Sequence, residues 1–314
     1  MNKILVTGGA GFIGSALAEK LISNPDNYVV IVDNLSTGNI GKLPNLPKTN
    51  WRFIKCDVND YTEIAPVMTT YQFDYVFHFA AVVGVLRTQQ YPVSVLRDID
   101  GIKNVLSLSK NTTVKRVFFS SSSEIYGDPV EMPQNVYTTP LNSRLPYAVV
   151  KNIGEAFLRS YKQEYDLDYT IFRFFNTYGP KQSRDFVISK FMLAALNNRD
   201  ITIYGDGLQT RTFCYIDDNI DTCLTAFYEN KVVNGVINIG GNREVTIKEL
   251  AEIIIRETGS KSKIVHVDPL KEGDMRRRQP DNSDMKALLN RPLIKVDEGI
   301  RKIIEKGLFE LNIQ

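Results

Sequence analysis

Residues 7–14 read Thr7-Gly8-Gly9-Ala10-Gly11-Phe12-Ile13-Gly14 and directly follow a short apolar run. Gly9, Gly11 and Gly14 have the spacing G-x-G-x-x-G, and a helical pattern, Phe12–Ile22, begins inside the motif. Glycine permits a tight turn and lets the backbone approach a ligand without a Cβ in the way. The N–H groups at the start of a helix favour an anion. The motif therefore predicts a strand–turn–helix unit that binds a pyrophosphate.

An acidic residue ends the second apolar run. Asp33 stands 19 residues after Gly14 and is followed by Asn34-Leu35-Ser36. A carboxylate at this place accepts hydrogen bonds from the ribose hydroxyls of NAD and repels the extra phosphate of NADP, for which no arginine follows. The sequence therefore predicts NAD as cofactor. A glycine-rich turn without a ligand is the simpler alternative, but it does not account for the strand, the helix and Asp33 together.

Two further segments fit the same cofactor. Asp57-Val58 follows the third apolar run, where a carboxylate can meet the adenine amino group, and Ala80-Ala81 follows the fourth, where small side chains leave room. The residues expected around NAD are Gly8, Gly11, Phe12, Ile13, Gly14, Asp33, Asn34, Asp57, Val58, Ala80, Ala81, Tyr147 and Lys151.

The hydrophobic pattern predicts an α/β fold with a doubly wound parallel (Rossmann-type) sheet. Continuous apolar runs that alternate with helical patterns are typical of strands buried on both faces. The predicted strands are Lys3–Thr7, Tyr28–Val32, Arg52–Lys55, Tyr75–Phe79, Arg116–Ser120 and Tyr169–Phe174, and predicted helices include Phe12–Ile22, Val93–Ser109 and Tyr147–Tyr165. We expect a cofactor domain over residues 1–177. A smaller mixed α/β substrate domain is expected over residues 178–314, with short strands at Ile201–Tyr204 and Val236–Ile239, and the chain is free to cross between the two.

The composition excludes several classes of protein. Hydrophobic residues make up 43% and charged residues 24% of 314 residues, which is ordinary for a globular protein. The net charge is only +2, so no basic surface for nucleic acid is indicated. Two histidines and three scattered cysteines favour neither a metal site nor a disulfide framework. No apolar run has the ~20 residues of a membrane helix, and we expect a cytoplasmic protein.

A second constellation lies in the middle of the chain. Tyr147 and Lys151 are four residues apart in a helical pattern and therefore share a face. A lysine ammonium beside a phenol favours the phenolate, lowers the tyrosine pKa and suits it to acid–base chemistry. The fifth apolar run leads into the serine-rich residues 120–127, where a hydroxyl can hold a substrate hydroxyl beside Tyr147. Taken separately, the parts are also compatible with a solvated helix face and a polar strand exit.

Together these motifs resemble the extended short-chain dehydrogenase/reductase family, and within it the NAD-dependent nucleotide-sugar epimerases, dehydratases and decarboxylases. The resemblance covers essentially the whole chain. It is carried by residues 7–14, Asp33-Asn34, His78-Phe79-Ala80-Ala81, Ser122-Ser123-Glu124-Ile125-Tyr126-Gly127, Tyr147 with Lys151, residues 172–180, Tyr204-Gly205-Asp206-Gly207 and residues 211–218.

The resemblance implies a role for each matching residue. Ser122 is similar to the residue that binds the sugar hydroxyl, Tyr147 to the base, and Lys151 to the residue that tunes it and touches the nicotinamide ribose. In the second half, Asn176 is similar to a contact near the sugar.

Two arginine positions resemble the ligands of a diphosphate. They are Arg211 and one arginine of Arg276–Arg278, with Arg278 favoured because Gln279-Pro280 follows it. Arginine suits this role because its guanidinium presents paired, permanently charged donors. A solvated charge run is the simpler interpretation of the three arginines alone.

The resemblance leaves the step after oxidation at sugar C4 open. Ser123-Glu124 replaces the Asp-Glu pair of the 4,6-dehydratases and is reminiscent of the uronate decarboxylases. The loop before Tyr147 lacks the decarboxylase pattern Trp-Gly-x-x-Asn-Pro, and Asp98 and Asp100 depart from the asparagine common there.

A 4-epimerase in carbohydrate biosynthesis, formally an isomerase, is the simplest reading. The alternatives are a 4-dehydrogenase that releases a keto sugar such as a GDP-heptose, a UDP-uronate decarboxylase, and a non-catalytic NAD or nucleotide sensor. For a uronate, Arg87, Arg144 and Arg184 are candidate carboxylate partners. The resemblance also supports a homodimer or homotetramer that pairs through the helices Val93–Ser109 and Tyr147–Tyr165.

Overall fold

The structure is a computed structural model that describes residues 1–84, 88, 90–268 and 277–309. The chain forms two compact units. Unit 1 consists of Met1–Gly127, Leu141–Arg173 and Cys223–Ile237, and unit 2 of Asp128–Pro140, Phe174–Thr222 and Asn238–Gln314. The chain thus crosses between the units several times, an option that the sequence left open.

Seven strands form one sheet: β1 Asn2–Thr7, β2 Asn27–Asp33, β3 Trp51–Lys55, β4 Tyr75–His78, β5 Arg116–Ser122, β6 Asp168–Phe174 and β11 Gly235–Ile239. Their order across the sheet is β11-β6-β5-β4-β1-β2-β3. The pairs β1–β2, β1–β4, β2–β3 and β4–β5 are parallel. The strand order reverses beside β1, and in open α/β sheets ligands bind outside the carboxyl ends of the strands at such a switch point.

Helices surround this sheet and continue into the second half of the chain. They are α1 Phe12–Ile22, α2 Tyr61–Tyr71, α3 Pro92–Leu96, α4 Asp98–Lys110, α5 Pro146–Tyr165, α6 Val187–Leu196, α7 Ile216–Tyr228, α8 Ile247–Thr258, α9 Ser283–Leu289 and α10 Val296–Lys306. A 3₁₀ turn, Ser123–Tyr126, follows β5. α4 packs against both α2 and α5, so that the three helices form one layer of unit 1.

Aromatic stacking fills the core of unit 1. The rings of Phe77 and Phe118, on neighbouring strands, stack with centroids 4.3 Å apart, and Phe172 continues the stack at 6.1 Å from Phe118. The ring of Phe227 meets Phe77 and Phe118 edge-on, at 5.7 Å from each. Such aromatic pairs add stabilisation beyond the apolar area that they bury, and they fix the spacing of β4, β5 and β6.

Unit 2 is built on three small sheets and four complete helices of the described chain. The strands pair as β7 Thr177–Tyr178 with β10 Cys214–Tyr215, β8 Ile201–Tyr204 with β13 Ile264–Val267, and β9 Thr210–Thr212 with β12 Glu244–Thr246. α8 is amphipathic, and Thr246 caps its first turn, since the Thr246 hydroxyl accepts from the Glu249 N–H at 3.0 Å.

The sequence expectation differs from the structure at three elements. The predicted helix 93–109 is divided into two helices, α3 and α4, which are separated by Arg97. The predicted strand 236–239 was placed with the second half, but it joins the seven-stranded sheet beside β6. Helix α2 was not predicted; its interior contains Pro66, and Asp60 caps its first turn by accepting from the Thr62 N–H at 2.8 Å.

Candidate active site

Gly8 and Gly14, in the loop at residues 8–14, lie where a side chain would collide with the backbone. Gly8 has φ +68°, and a Cβ there would lie 2.6 Å from the Ala80 nitrogen at the end of β4. A Cβ on Gly14 would lie 2.3 Å from the carbonyl oxygen of Gly8. No side chain caps α1 at Gly11, so the first N–H groups of the helix have no side-chain acceptor there. The loop therefore fits the pyrophosphate of a dinucleotide.

Asp33 connects the end of β2 to this loop. One carboxylate oxygen accepts from the Ala10 N–H at 3.0 Å and the other from the Leu35 N–H at 2.8 Å. The pKa of Asp33 is raised, because the effect of burial is larger than the opposing effects of these two hydrogen bonds and of Lys42. Each oxygen keeps a second lone pair, so the carboxylate retains the capacity to accept a ribose hydroxyl.

A buried histidine, which the sequence analysis used only as part of a motif, joins the ends of β1 and β4. His78 Nδ1 lies 2.9 Å from the Thr7 hydroxyl oxygen, which accepts from the N–H groups of Phe79 and Ala80 at 3.1 and 3.2 Å. Burial, with a smaller effect of Lys151, lowers the pKa of His78 to about 3. The neutral ring therefore fixes the carboxyl ends of two adjacent strands where the glycine loop meets Ala80.

The other expected cofactor contacts also lie at strand ends. Asp57 follows β3, and its carboxylate accepts from the Asn59 N–H at 2.9 Å, while Val58 is buried. Ala80 and Ala81 follow β4 and are partly exposed, and Asn34 follows β2 and is also partly exposed. Their contacts with NAD stay predictions.

The structure brings Ser122, Tyr147 and Lys151 together in unit 1. Ser122 is the last residue of β5, and a hydrogen bond between it and Tyr147 lowers the pKa of the phenol. The Lys151 ammonium lies 5.8 Å from the centre of the Tyr147 ring, as residues one helical turn apart allow. Three hydrogen-bonding groups of acid–base chemistry thus meet where β5 ends and α5 begins.

The Lys151 ammonium is deeply buried, with 3% of the residue exposed. It donates to the Ser120 hydroxyl at 3.3 Å and lies 4.9 Å from the centre of the Phe119 ring. Burial lowers its pKa from 10.5 to about 8, against the opposing effect of Asp98. A lysine with this pKa can change its charge close to neutral pH, which an exposed lysine does not do.

Tyr147 differs from the sequence expectation in its pKa. We expected Lys151 to lower the pKa of the phenol, but the pKa is raised. Burial is the largest cause, and the carboxylates of Glu124 and Asp98 add to it, while the hydrogen bond with Ser122 opposes them. The described residues alone therefore favour the protonated phenol.

Ser123 and Glu124 occupy the 3₁₀ turn directly after Ser122. Ser123 is buried, whereas Glu124 is partly exposed and close enough to Tyr147 to raise its pKa. The Glu124 N–H donates to the Ser122 hydroxyl oxygen at 3.2 Å, which orients this hydroxyl. A carboxylate therefore stands next to the phenol and hydroxyl of the site.

A buried ion pair that the sequence analysis missed supports this arrangement. Glu155, one turn after Lys151 on α5, receives two hydrogen bonds from Arg173 on β6, at 2.9 and 2.7 Å. The Ser121 hydroxyl donates to the same carboxylate at 2.7 Å, and Arg173 also donates to the Tyr126 hydroxyl at 2.8 Å. Since Ser121 stands between Ser120 and Ser122, the network fixes α5 against the end of β5.

The residues predicted to contact the sugar and the diphosphate lie in unit 2. Asn176 has φ +36°, its side chain donates to the Thr212 carbonyl at 3.0 Å, and its own carbonyl accepts from the Cys214 N–H at 3.2 Å. Asn176 therefore lies beside the strand that carries Arg211. Arg211, on β9, is partly exposed and donates to the Thr210 carbonyl at 2.7 Å.

The arginine run separates into different environments. Arg278 is buried, with 7% exposed, whereas Arg277 is exposed and forms a bidentate pair with Glu244 on β12 at 2.6 Å for both bonds. Arg276 and Arg87 lie outside the described residues, and Arg144 and Arg184 are exposed. Burial distinguishes Arg278 from its exposed neighbour Arg277, and its contact with the diphosphate stays a prediction.

Two absences concern only the described ranges. Within residues 1–84, 88, 90–268 and 277–309, no group of three or more His, Cys, Asp or Glu side chains is arranged to hold a metal ion. Over the same residues, none of the helices combines the length and the apolar character that crossing a membrane requires.

Comparison with known proteins defines the class. The NAD dependent epimerase/dehydratase family matches residues 4–240, and the chain belongs to this family. Its fold and the glycine loop agree with this assignment, and NAD is its cofactor.

Particular relatives differ in the reaction that their names give. The chain is 34% identical to UDP-glucuronic acid decarboxylase 3 of Arabidopsis thaliana, over 99% of this chain and 90% of that protein. It is also 34% identical to the putative UDP-glucose 4-epimerase of Methanocaldococcus jannaschii, over 96% and 97%. The crystal structure of UDP-glucose 4-epimerase from Thermotoga maritima with UDP-glucose superposes with a TM-score of 0.91 at 32% identity, covering 99% of this chain and 100% of that one.

Proposed function

We propose that the protein oxidises C4 of a nucleotide-diphosphate sugar and acts most simply as a nucleotide-sugar 4-epimerase. The observation that carries this proposal is the assembly of Ser122, Tyr147 and Lys151 at the carboxyl end of β5, in the unit that also holds the glycine loop. These groups suit the removal of a proton from a secondary hydroxyl.

The chain's own residues handle the proton. Ser122 orients the sugar hydroxyl, and the phenolate oxygen of Tyr147 takes its proton as the C4 hydrogen leaves as hydride. NAD, when bound, supplies the hydride acceptor and a positive ring that favours the phenolate. The Lys151 ammonium stabilises the same phenolate in a site where burial strengthens the interaction.

An epimerase then requires the steps in reverse. The 4-keto sugar turns its other face, the hydride returns to C4, and Tyr147 returns the proton to the oxygen. Proton and hydride are thereby restored, and no external oxidant or reductant is consumed.

The diphosphate of the substrate would be bound by unit 2. We assign this role to Arg211 and Arg278 and a sugar contact to Asn176. Arginine binds phosphate oxygens through paired donors, and a partly exposed and a buried arginine together can neutralise the diphosphate charge.

Decarboxylation of a UDP-uronate is the second candidate. Two observations favour it: a relative 34% identical over nearly the whole chain is named a UDP-glucuronic acid decarboxylase, and Glu124 stands beside Tyr147. Oxidation at C4 places a ketone β to the C6 carboxylate, and such a keto acid loses CO₂ readily. The oxidation step is thus shared between the two candidates.

One experiment separates the candidates. The purified protein is incubated with UDP-glucose, UDP-N-acetylglucosamine, UDP-glucuronate and GDP-linked sugars, while product identity and the absorbance of NADH are followed. A C4 epimer without net NADH supports the epimerase, and loss of CO₂ from UDP-glucuronate alone supports the decarboxylase. Accumulated NADH with a keto sugar indicates a dehydrogenase, and no change with any sugar would favour a nucleotide sensor and contradict the proposal.

A further inference from the structure

Asp98 is a buried carboxylate that the proposed reaction does not use. It begins α4, and only 7% of the residue is exposed. One carboxylate oxygen accepts from the Val82 N–H at 2.7 Å, and the other lies 3.5 Å from the amide nitrogen of Asn59. Val82 follows Ala80-Ala81, where the cofactor segment leaves β4. An acidic side chain is rarely buried without a partner that compensates its charge.

The charge that compensates Asp98 lies on the neighbouring helix. α4 packs against α5, and the Lys151 ammonium on α5 interacts electrostatically with the Asp98 carboxylate. Two opposite charges are thus buried in unit 1, one of them on the lysine beside Tyr147. Because the protein interior screens charge poorly, two buried charges interact more strongly than two exposed charges at the same separation.

We propose that Asp98 is a positioning residue of the active site, whose buried charge favours the protonated forms of Lys151 and Tyr147 and whose hydrogen bond holds the backbone at Val82. This inference rests on the proposed function.

The signs of the interactions follow from the charges. A negative Asp98 favours protonated Lys151 and raises the pKa of Lys151, and it disfavours the phenolate and raises the pKa of Tyr147. Burial raises the pKa of Asp98 itself, so that acid protonates this carboxylate earlier than an exposed one. A neutral residue at this position would therefore lower the pKa of both Lys151 and Tyr147.

The other titratable groups around Asp98 leave this sign unchanged. Asp57, after β3, is a like charge that further raises the pKa of Asp98. His78, on β4, is neutral with a pKa of about 3 and interacts with Lys151. The carboxylate of Glu124 raises the pKa of Tyr147. On α2 the carboxylate of Glu63 is held by the Asp57 N–H at 2.8 Å.

The test compares Asp98→Asn with a matched control. Asparagine keeps the size of the side chain and an acceptor for the Val82 N–H, but it removes the charge. Asp100→Asn makes the same change two residues further along α4, where the side chain is 61% exposed and pairs with exposed Lys103 at 3.8 Å. NAD binding and the melting temperature show whether each variant is folded.

The first readout is the titration of the Lys151 side chain by NMR with labelled lysine, assigned by the signal that Lys151→Met removes. We expect Lys151 to titrate at lower pH in Asp98→Asn than in the wild type and unchanged in Asp100→Asn. The same midpoint in all three proteins would overturn the proposal. This measurement needs no substrate, so it remains decisive even if the proposed reaction is wrong.

The second readout is the pH dependence of turnover on the active nucleotide sugar. The two limbs report the coupled titration of Tyr147 and Lys151, and the loss of the negative charge lowers the pKa of both groups, so both limbs should move to lower pH in Asp98→Asn, by on the order of half to one pH unit. A uniform loss of rate without movement of either limb would indicate a merely structural role and contradict the proposal.

A wild-type measurement covers the case in which Asp98→Asn fails to fold. The labelled Lys151 signal should then show a second inflection at acid pH, where Asp98 takes up its proton. A Lys151 signal with its own titration alone would equally overturn the proposal.

Discussion

The Lys151 ammonium is buried in unit 1, and its burial lowers the free energy of unfolding. Burial lowers the pKa of this group from 10.5 to about 8. Below about pH 8 the group is protonated in the folded and the unfolded chain, and the folded chain bears the full cost. As the pH rises from 8 to 10.5 the folded state has lost the proton while the unfolded state still holds it, so the cost shrinks and then vanishes.

Replacing this lysine should therefore stabilise the protein while it removes activity. We expect Lys151→Met to raise the free energy of unfolding at pH 7 by about 3 kcal/mol, since each pKa unit corresponds to about 1.4 kcal/mol. The difference should narrow as the pH approaches 10.5. Urea unfolding of both proteins at several pH values measures it, and equal stability at pH 7 would show that the ammonium is not desolvated.

Sequence reasoning predicted that Tyr147 and Lys151 lie side by side, as the structure shows, but it did not predict their electrostatics. The i, i+4 spacing of Tyr147 and Lys151 follows from helical geometry, which a local pattern contains. The pKa of Tyr147 depends instead on burial and on Glu124 and Asp98, which other segments bring to the site. The local pair of Lys151 and Tyr147 predicted the opposite direction because it left out these groups.

At the scale of elements, α5 is held by the ion pair between Glu155 and Arg173, both of which are almost fully buried. Breaking a buried pair leaves an uncompensated charge and typically costs about 3–5 kcal/mol. The same Glu155 carboxylate also receives Arg159, at 3.0 Å, but this arginine is 44% exposed. Surface pairs contribute about 1 kcal/mol or less.

The two arginines provide a matched comparison on one carboxylate. We expect Arg173→Met to lower the free energy of unfolding by about 3–5 kcal/mol and Arg159→Met by less than about 1 kcal/mol. Urea unfolding checks both. Similar losses in the two variants would show that burial does not distinguish the pairs.

Elements formed by local pattern were predicted more closely than those formed by distant pairing. β1, β2 and β4 begin or end within one residue of the expected bounds, because each is a continuous apolar run. β11 was expected in the substrate domain, but it joins the seven-stranded sheet beside β6. β6 lies about sixty residues earlier, and no local pattern indicates such a distant partner. β5 extends through Ser121 and Ser122, whose polar side chains suggested an earlier end.

At the scale of the whole molecule, α3 and the residue before it expose three large apolar side chains. Tyr91, Val93 and Leu96 are 63%, 72% and 42% exposed. A surface of this kind is typical of an interface, and α3 begins the first of the two helical segments that the sequence predicts to pair between subunits.

We therefore predict at least a homodimer. Light scattering after gel filtration should give a mass of about 71 kDa, twice the 35.6 kDa of one chain, and Val93→Glu should lower it toward the monomer. The exposed substitution Lys103→Glu, on α4, serves as a control. A wild-type mass of one chain would contradict the prediction.

The family assignment follows from most of the chain and the cofactor from local motifs, but neither determines the substrate. The glycine motif and Asp33 were sufficient to predict NAD, because their physical requirements are local and strict. If the proposed function is right, the step after oxidation depends on the shape around Glu124 and on which sugar Arg211 and Arg278 accept. Relatives of equal identity are named for different reactions, so overall similarity does not determine which reaction this chain catalyses.

Transfer of the C4 hydrogen tests the central claim most directly. The protein is incubated in ordinary water with the active nucleotide sugar, labelled with deuterium at C4, and the C4 position of the product is examined by mass spectrometry and NMR. We predict a slower reaction than with the unlabelled sugar, a product that retains the deuterium at C4, and no turnover by Tyr147→Phe, which should still bind NAD. Loss of the deuterium to water, or undiminished turnover by Tyr147→Phe, would contradict the account.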